Sequence, residues 1–162
     1  MELWDAYDNC FNKIENITLI RGNTIPKGYY HLVCDIIVRH VDGTYLIMQR
    51  DLKKHLGGLW EATAGGSALS GETPIECAKR ELFEETGIKD GDFVEIGRTI
   101  HHSHQSIYFE YLSIVNIDKN SILLQEGETI SFKWISKDEL KSLSNDVLST
   151  RRIINFIDEL SH

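Results

Sequence analysis

The chain is poor in the residues that would take it outside ordinary globular proteins. Two prolines and twelve glycines in 162 residues exclude collagen-like and proline-rich disordered architectures. The three cysteines, Cys10, Cys34 and Cys77, are odd in number and widely spaced. They form neither a disulfide framework nor a Cys-x-x-Cys zinc pattern, and a reducing cytoplasm is the expected compartment. Apolar runs fall far below the roughly 18–20 residues of a membrane span. The opening MELWDAYDNCFNKIEN has early acids and no apolar stretch, so no secretory leader is expected there. Positive charge is also scarce. Seventeen Lys and Arg face 25 Asp and Glu, for a formal net charge of −8. That balance weighs against bulk binding to nucleic acid or to an anionic membrane. It also sets a problem, because an anionic ligand would have to overcome the repulsion.

What is present reads as one mixed α/β or α+β layer domain. No internal repeat, low-complexity stretch or linker interrupts it. Strands are expected over 31–39, 44–50, 92–100, 105–117 and 130–135 from their β-branched and alternating patterns. His40-Val41-Asp42-Gly43 reads as the hairpin turn between the first two. Thr73-Pro74-Ile75-Glu76 supplies an N-cap, a first-turn proline and a capping-box glutamate, and Gly87 supplies the stop. Ile75, Ala78 and Leu82 form the core stripe of that helix. A short helix is expected after Ser136, and a last helix over about 149–160 that buries Ile153, Phe156, Ile157 and Leu160. Residues 1–30 read as an extension with a short β element packed on a domain of residues 31–162.

On the middle helix, Glu81, Glu84 and Glu85 stand at i, i+3 and i+4, on one face directed away from the core stripe. Three carboxylates there repel one another, and near a helix C-terminus the macrodipole disfavours them as well. A solvated acidic face is the plain reading. A bound divalent cation would remove the cost, and clustered carboxylate oxygens suit Mg²⁺ or Mn²⁺ better than zinc.

The surrounding residues carry a motif. Gly66, Glu72, Arg80, Glu81, Leu82, Glu84, Glu85, Gly87 and Ile88 fill every fixed position of the pattern Gly, five residues, Glu, seven residues, Arg-Glu-apolar-x-Glu-Glu-x-Gly-apolar. By this motif the sequence resembles the Nudix hydrolases. The resemblance implies the Nudix fold, a mixed β-sheet sandwiched between α-helices, with the motif as a loop–helix–loop. It implies a pyrophosphohydrolase dependent on Mg²⁺ or Mn²⁺ that cleaves a diphosphate linkage in a nucleoside diphosphate joined to another group. Glu84 and Glu85, with Glu81 close behind, become the expected metal ligands, joined by the Gly66 carbonyl. Arg80 is expected to pair with Glu72 or Glu84 and orient the loop. Leu82 and Ile88 are core, and Gly87 is backbone geometry. A bound water attacks one phosphorus and a carboxylate takes its proton. That base is Glu81 or a residue of another loop, with Glu128 the outside candidate for a metal or base role. Many such proteins are dimers, and by analogy the N-terminal segment could join the interface.

Weaker features sit alongside. Arg50, Lys53, Lys54 and His55 gather before the segment GLWEATAGG and could contact phosphate. A solvated loop would look the same. Trp60 reads as strand packing, with base stacking as the other reading. Strand alternation places His102 and His104 on one face and His101 on the other, within reach of substrate if they end a strand. Cys77 falls on the carboxylate face and reads as a small residue in close packing.

Two other functions compete. The stretch from Tyr29 to Thr63 is similar to the isopentenyl diphosphate isomerase branch of the same superfamily. Those isomerases need a catalytic cysteine, which would fall in Thr63-Ala64-Gly65-Gly66-Ser67, and none is there. A noncatalytic nucleotide-binding sensor is the other alternative, and it has no need of the complete set of motif glutamates.

Overall fold

The computed structural model describes residues 1–158. Its centre is a seven-stranded mixed sheet. β3 (His31–His40) runs through the middle. It pairs in parallel with β8 (Ser106–Val115) and antiparallel with β6 (Thr63–Ser67). β4 (Tyr45–Arg50) joins β3 at the hairpin end and carries β5 (Trp60–Glu61) and β9 (Thr129–Ile135). β7 (Asp92–His101) closes the other edge beside β8. The β3–β4 turn forms as its sequence suggests. The His40 amide donates to the Thr44 carbonyl, and Gly43 takes the positive φ of 92° that glycine adopts without strain.

The sheet is covered on both faces, so β3 reads as a nearly continuous apolar run. On one face Cys34, Ile36, Ala64, Ile107 and Phe109 pack under Cys77, Ala78 and Leu82 of helix α1 (Pro74–Thr86). On the other, Ile37, Ile47 and Leu112 pack against Leu140 of α2 (Lys137–Ser142) and Ile153, Ile154 and Ile157 in and beside α3 (Ile154–Ile157). This is the mixed sheet between helices that the motif's resemblance implies.

α1 has both expected caps. Thr73 and Glu76 exchange capping-box bonds, and Gly87, at φ 76°, donates its amide to the Phe83 carbonyl at 2.8 Å. The last helix begins later than its periodicity suggests: among the described residues it spans Ile154–Ile157. Leu148 forms a bridge with Trp60 and Ser149 donates to the Trp60 carbonyl. That strand-like attachment holds 148–149 extended, so the helix cannot begin there. Ile153 and Ile157 are buried, Phe156 is half-buried, and Leu160 lies outside the described residues.

Residues 1–30 hold a separate two-stranded sheet of β1 (Leu3–Tyr7) and β2 (Lys13–Ile20). It docks through a Tyr7–Tyr30 bridge, through the Trp4 ring stacked on His31 at 4.2 Å, and through Asp5, which accepts from Ser70 and Gly71.

Candidate active site

Gly65 and Gly66 of β6, the body of α1 and two loops frame the site. The loops follow β4 and precede β9. Arg80 is its structural hub. The guanidinium donates from Nε to Glu72 at 2.6 Å, from Nη2 to the other Glu72 oxygen and to the Ser67 carbonyl, and from Nη1 to Glu81 at 2.9 Å and Glu84 at 3.2 Å. It thereby ties the loop before α1 to the helix itself. Burial opposes ionisation of Glu72, but the bonds from Arg80 and from the Leu69 amide hold its carboxyl below the usual range. The Glu72 bonds in turn push the guanidinium further up, so it stays charged. Leu82 and Ile88 are buried in the core.

The three motif carboxylates are not equivalent, as a single solvated face would require. Glu84 is exposed, Glu81 is half-buried and Glu85 is buried. α1 packs against β6, and the i+4 position meets that strand at the Gly65 amide. Burial raises Glu81. Burial, with the Glu81 and Glu128 carboxylates nearby, pushes Glu85 up to about 8, while a hydrogen bond from the Gly65 amide partly offsets this. Gly66 is held by close approach: a β-carbon there would stand 2.5 Å from Glu81 Oε1.

From the same end of the sheet, in the loops after β4 and before β9, come Lys54 and Glu128, paired with each other. A cleft of about 330 Å³ is lined by Lys54, Gly65, Gly66, Glu85 and Glu128 on one side. A second cleft, of about 600 Å³, shares those five residues and adds Arg80, Glu81 and Glu84, together with Glu2 and Arg21 from the N-terminal sheet. The fold therefore brings Glu81, Glu84, Glu85, Glu128, Lys54 and Gly66 to one depression.

The donor set is all oxygen, as a hard divalent cation prefers. Glu85 takes up a proton readily because its like-charged neighbours and burial disfavour the anion, and a cation in their midst would relieve that. Among the described residues no three His, Cys, Asp or Glu side chains stand together as a ready metal cage. Glu81 and Glu84 lean on Arg80, and Glu128 leans on Lys54. To hold a cation, these carboxylates would exchange their present partners for it.

Other candidates fall elsewhere. Arg50 lines the first cleft, but it is engaged by Glu61 and by the His55 carbonyl. Lys53 is exposed, with its amide turned to Asp51. Trp60 lies outside both clefts, packs against the core under α2 and α3, and has Lys133 Nζ over its ring at 4.6 Å. His102 and His104 also lie outside both clefts. The expected alternation does not reach them, because β7 ends at His101 and a turn follows with Gln105 at φ 50°. His102 bonds the Tyr30 hydroxyl at 2.9 Å, and His104 stacks on His101 at 4.0 Å. Cys77 is fully buried against the Gly66 carbonyl.

The sequence reading missed the other side of the first cleft, where Asp35, Tyr108 and Arg152 line the wall. Arg152 pairs with Asp35 and with the buried Glu110. A signal existed in the single acids inside the apolar runs HLVCDIIVR and SIYFEYLSIV. For Arg152 the sequence carried none.

The NUDIX domain family matches residues 29–155. The chain is similar to the Nudix hydrolase lmo0368 of Listeria monocytogenes, 29% identical over 88% of this chain and 85% of that one. It is similar to YfcD of Escherichia coli K12, 30% identical over 68% of this chain and 61% of that one. Among solved structures, DR0079 of Deinococcus radiodurans superposes with a TM-score of 0.74 at 15% identity, covering 99% of this chain and all of that one. The NUDIX domain of Shewanella oneidensis NrtR, complexed with ADP ribose, superposes with a TM-score of 0.65 at 16% identity, covering 86% and 95%. The chain belongs to the Nudix family.

Proposed function

We propose that this Nudix protein is a Mg²⁺- or Mn²⁺-dependent pyrophosphohydrolase that cleaves a diphosphate linkage in a nucleoside diphosphate joined to another group. The observation that carries this reading is the meeting of Glu81, Glu85 and Glu128 with Gly66 around one cleft. Residues 31–162 form the hydrolase domain, and residues 1–30 are an extension that adds Glu2 and Arg21 to the cleft wall. The cytoplasm is the compartment that fits the free thiols. Among the described residues no helix is long and apolar enough to cross a membrane.

Glu81, Glu84, Glu85 and the Gly66 carbonyl would hold the cation. When bound, it supplies charge neutralisation at the diphosphate and a lowered pKa for a coordinated water. The chain's own groups do the rest. Lys54, released from Glu128, offers a point charge to a phosphate oxygen. Glu128 or Glu81 accepts the proton of the attacking water, which requires approach to about 3 Å or through one further water. Arg80 keeps α1 and the preceding loop in register and so positions Glu81. Two bound divalent cations would halve the formal charge of −8 and concentrate the change where an anion must sit.

Isomerisation does not suit the site. Cys34 and Cys77 are fully buried under α1, and a hydrogen bond with Cys77 together with burial pushes the Cys34 thiol up. Neither thiol can carry protons to a substrate.

The test is release of phosphate or nucleotide from a panel of diphosphates, with Mg²⁺ and with a chelator. The panel spans nucleoside triphosphates, nucleoside diphosphate sugars, dinucleoside polyphosphates and base-free diphosphates. Metal-dependent release from at least one compound is expected. Tight binding with no release from any of them would favour the noncatalytic sensor and sink the hydrolase.

A further inference from the structure

The wall of the first cleft opposite Glu128 is built from charged groups that the hydrolytic chemistry does not use. Asp35 on β3 and Glu110 on β8 are neighbours across the parallel ladder. Both are buried. Arg152, from the segment before α3, donates Nε to Glu110 at 2.8 Å and Nη2 to Asp35. Its guanidinium lies 3.8 Å from the centre of the Tyr108 ring. Glu110 Oε2 is buried with no partner among the described residues.

Such a cluster is a poor way to hold a fold together. Burying ionisable groups can cost more than their mutual attraction returns, and apolar residues of similar volume often stabilise such a position as well or better. An unpartnered carboxyl oxygen adds to the cost. The cluster is also not remote. Gly65 joins it to the hydrolytic carboxylates: its amide bonds Glu85, and its α-carbon rests against Asp35, where a β-carbon would stand 2.7 Å from Oδ1. Asp35, Arg152 and Glu85 line the same cleft. A molecule whose diphosphate lies at Glu85 can reach Arg152 with its next group.

We infer that Asp35, Glu110 and Arg152 form the specificity subsite of this enzyme and recognise the amide-like edge of a nucleobase. The inference rests on the hydrolase reading and names its substrate class.

The chemistry of the wall selects that class. Burial and the Asp35 charge push the Glu110 carboxyl up, and the one Arg152 guanidinium is already engaged by both acids. Two carboxyls around one guanidinium offer nothing to a further anion. Nε and Nη2 of Arg152 are engaged, Nη1 has no partner among the described residues, and Arg152 and Asp35 both line the cleft. A donor next to an acceptor, held flat by the Tyr108 ring, complements a ligand edge that presents an acceptor next to a donor. An apolar tail would leave these groups unpaired and be rejected, because a site built on hydrogen bonds discriminates steeply against ligands that lack them.

The test compares kcat/KM, with Mg²⁺, for ATP, GTP, CTP, UTP and base-free ribose 5-triphosphate. The wild type is measured beside Glu110→Gln and Arg152→Lys, with thermal melting to establish that each variant folds. At least one nucleotide is expected to exceed ribose 5-triphosphate by about 100-fold, and the best nucleotide to exceed the worst by at least about tenfold. Both variants should shrink these ratios to a few-fold, with KM carrying the change. A role confined to anchoring the C-terminal segment would move the melting temperature and leave the ratios alone, and that result overturns the inference. So does a wild type that hydrolyses ribose 5-triphosphate as well as any nucleotide, or one that turns over only base-free diphosphates. In both of those cases the hydrolase reading survives. No release from any compound of the wider panel sinks the hydrolase reading and the inference with it.

Discussion

Gly66 lies so close to Glu81 that the absence of a side chain at one residue sets the position of the other. A β-carbon on Gly66 would meet the far end of the Glu81 side chain, at 2.5 Å from Oε1. Next door, a β-carbon on Gly65 would run into the Cys34 carbonyl of the neighbouring strand. The first neighbour can swing aside. The second is backbone in the middle of a sheet.

The two adjacent glycines should therefore fail in different ways. Gly66→Ala is expected to fold with a melting temperature within a few degrees of wild type, since a flexible carboxylate can relocate. Its kcat should fall by about tenfold or more as Glu81 is displaced. Gly65→Ala is expected to destabilise by several kcal/mol, about the scale of overpacking into an unyielding core. Denaturant unfolding and initial rates on both variants check the contrast. Equal stability of the two would show that β3 and β6 are not spaced as described.

Glu85 is buried beside two other carboxylates, and its affinity for a proton follows from that. Glu85→Gln keeps the shape and removes the charge. In a chelator the variant should be at least as stable as wild type near pH 8, because an ionised buried carboxylate is no longer demanded. With Mg²⁺ its turnover should drop by about 100-fold or more, and Mg²⁺ should no longer raise its melting temperature. Hydrolysis that survives in Glu85→Gln combined with Glu84→Gln would remove these glutamates from the metal site.

His31 clamps the N-terminal sheet to the domain. Its ring stacks on Trp4, and its nitrogens face the hydroxyls of Ser106 at 3.0 Å and Ser67 at 3.4 Å. Burial lowers its pKa to about 4, helped by the nearby positive charge of Arg21 and by His104. The native state thus binds a proton less readily than the unfolded chain does. Stability attributable to His31 is complete above about pH 6.5 and is lost as the pH falls towards 4. Hydrogen exchange should show β1 and β2 losing protection across that window before the central sheet does. His31→Gln, which cannot titrate, should flatten the dependence. A pH-independent protection of β1 and β2 in wild type would contradict the buried neutral ring.

Much of the machinery was legible along the chain because it is local. The caps of α1, its core stripe and the spacing of its glutamates all lie within a few turns of one helix, where 3.6-residue periodicity fixes which side chains share a face. The β3–β4 turn was legible for the same reason: Asp42-Gly43 supplies the geometry by itself. The last helix was misread because apolar periodicity over 149–160 says nothing of the bridge between Leu148 and Trp60 that holds its first residues extended. The histidines were misplaced because alternation holds only while a strand continues, and β7 stops at His101.

The sequence by itself determined the fold family and the diphosphate chemistry, since a contiguous motif carries both. Tertiary structure alone decided which of the three motif carboxylates is buried, that Glu128 and Lys54 share their cleft, and that Arg152 closes the far wall against Asp35 and Glu110. Those groups are 117 and 42 residues from Arg152 along the chain. Their meeting depends on strand order and on the attachment of the C-terminal segment to the sheet, and no local periodicity records it. The charge of −8 divides in the same way. Its size is composition, but the part that matters is the handful of buried acids the fold draws around one cleft, where burial makes each of them require a proton or a cation.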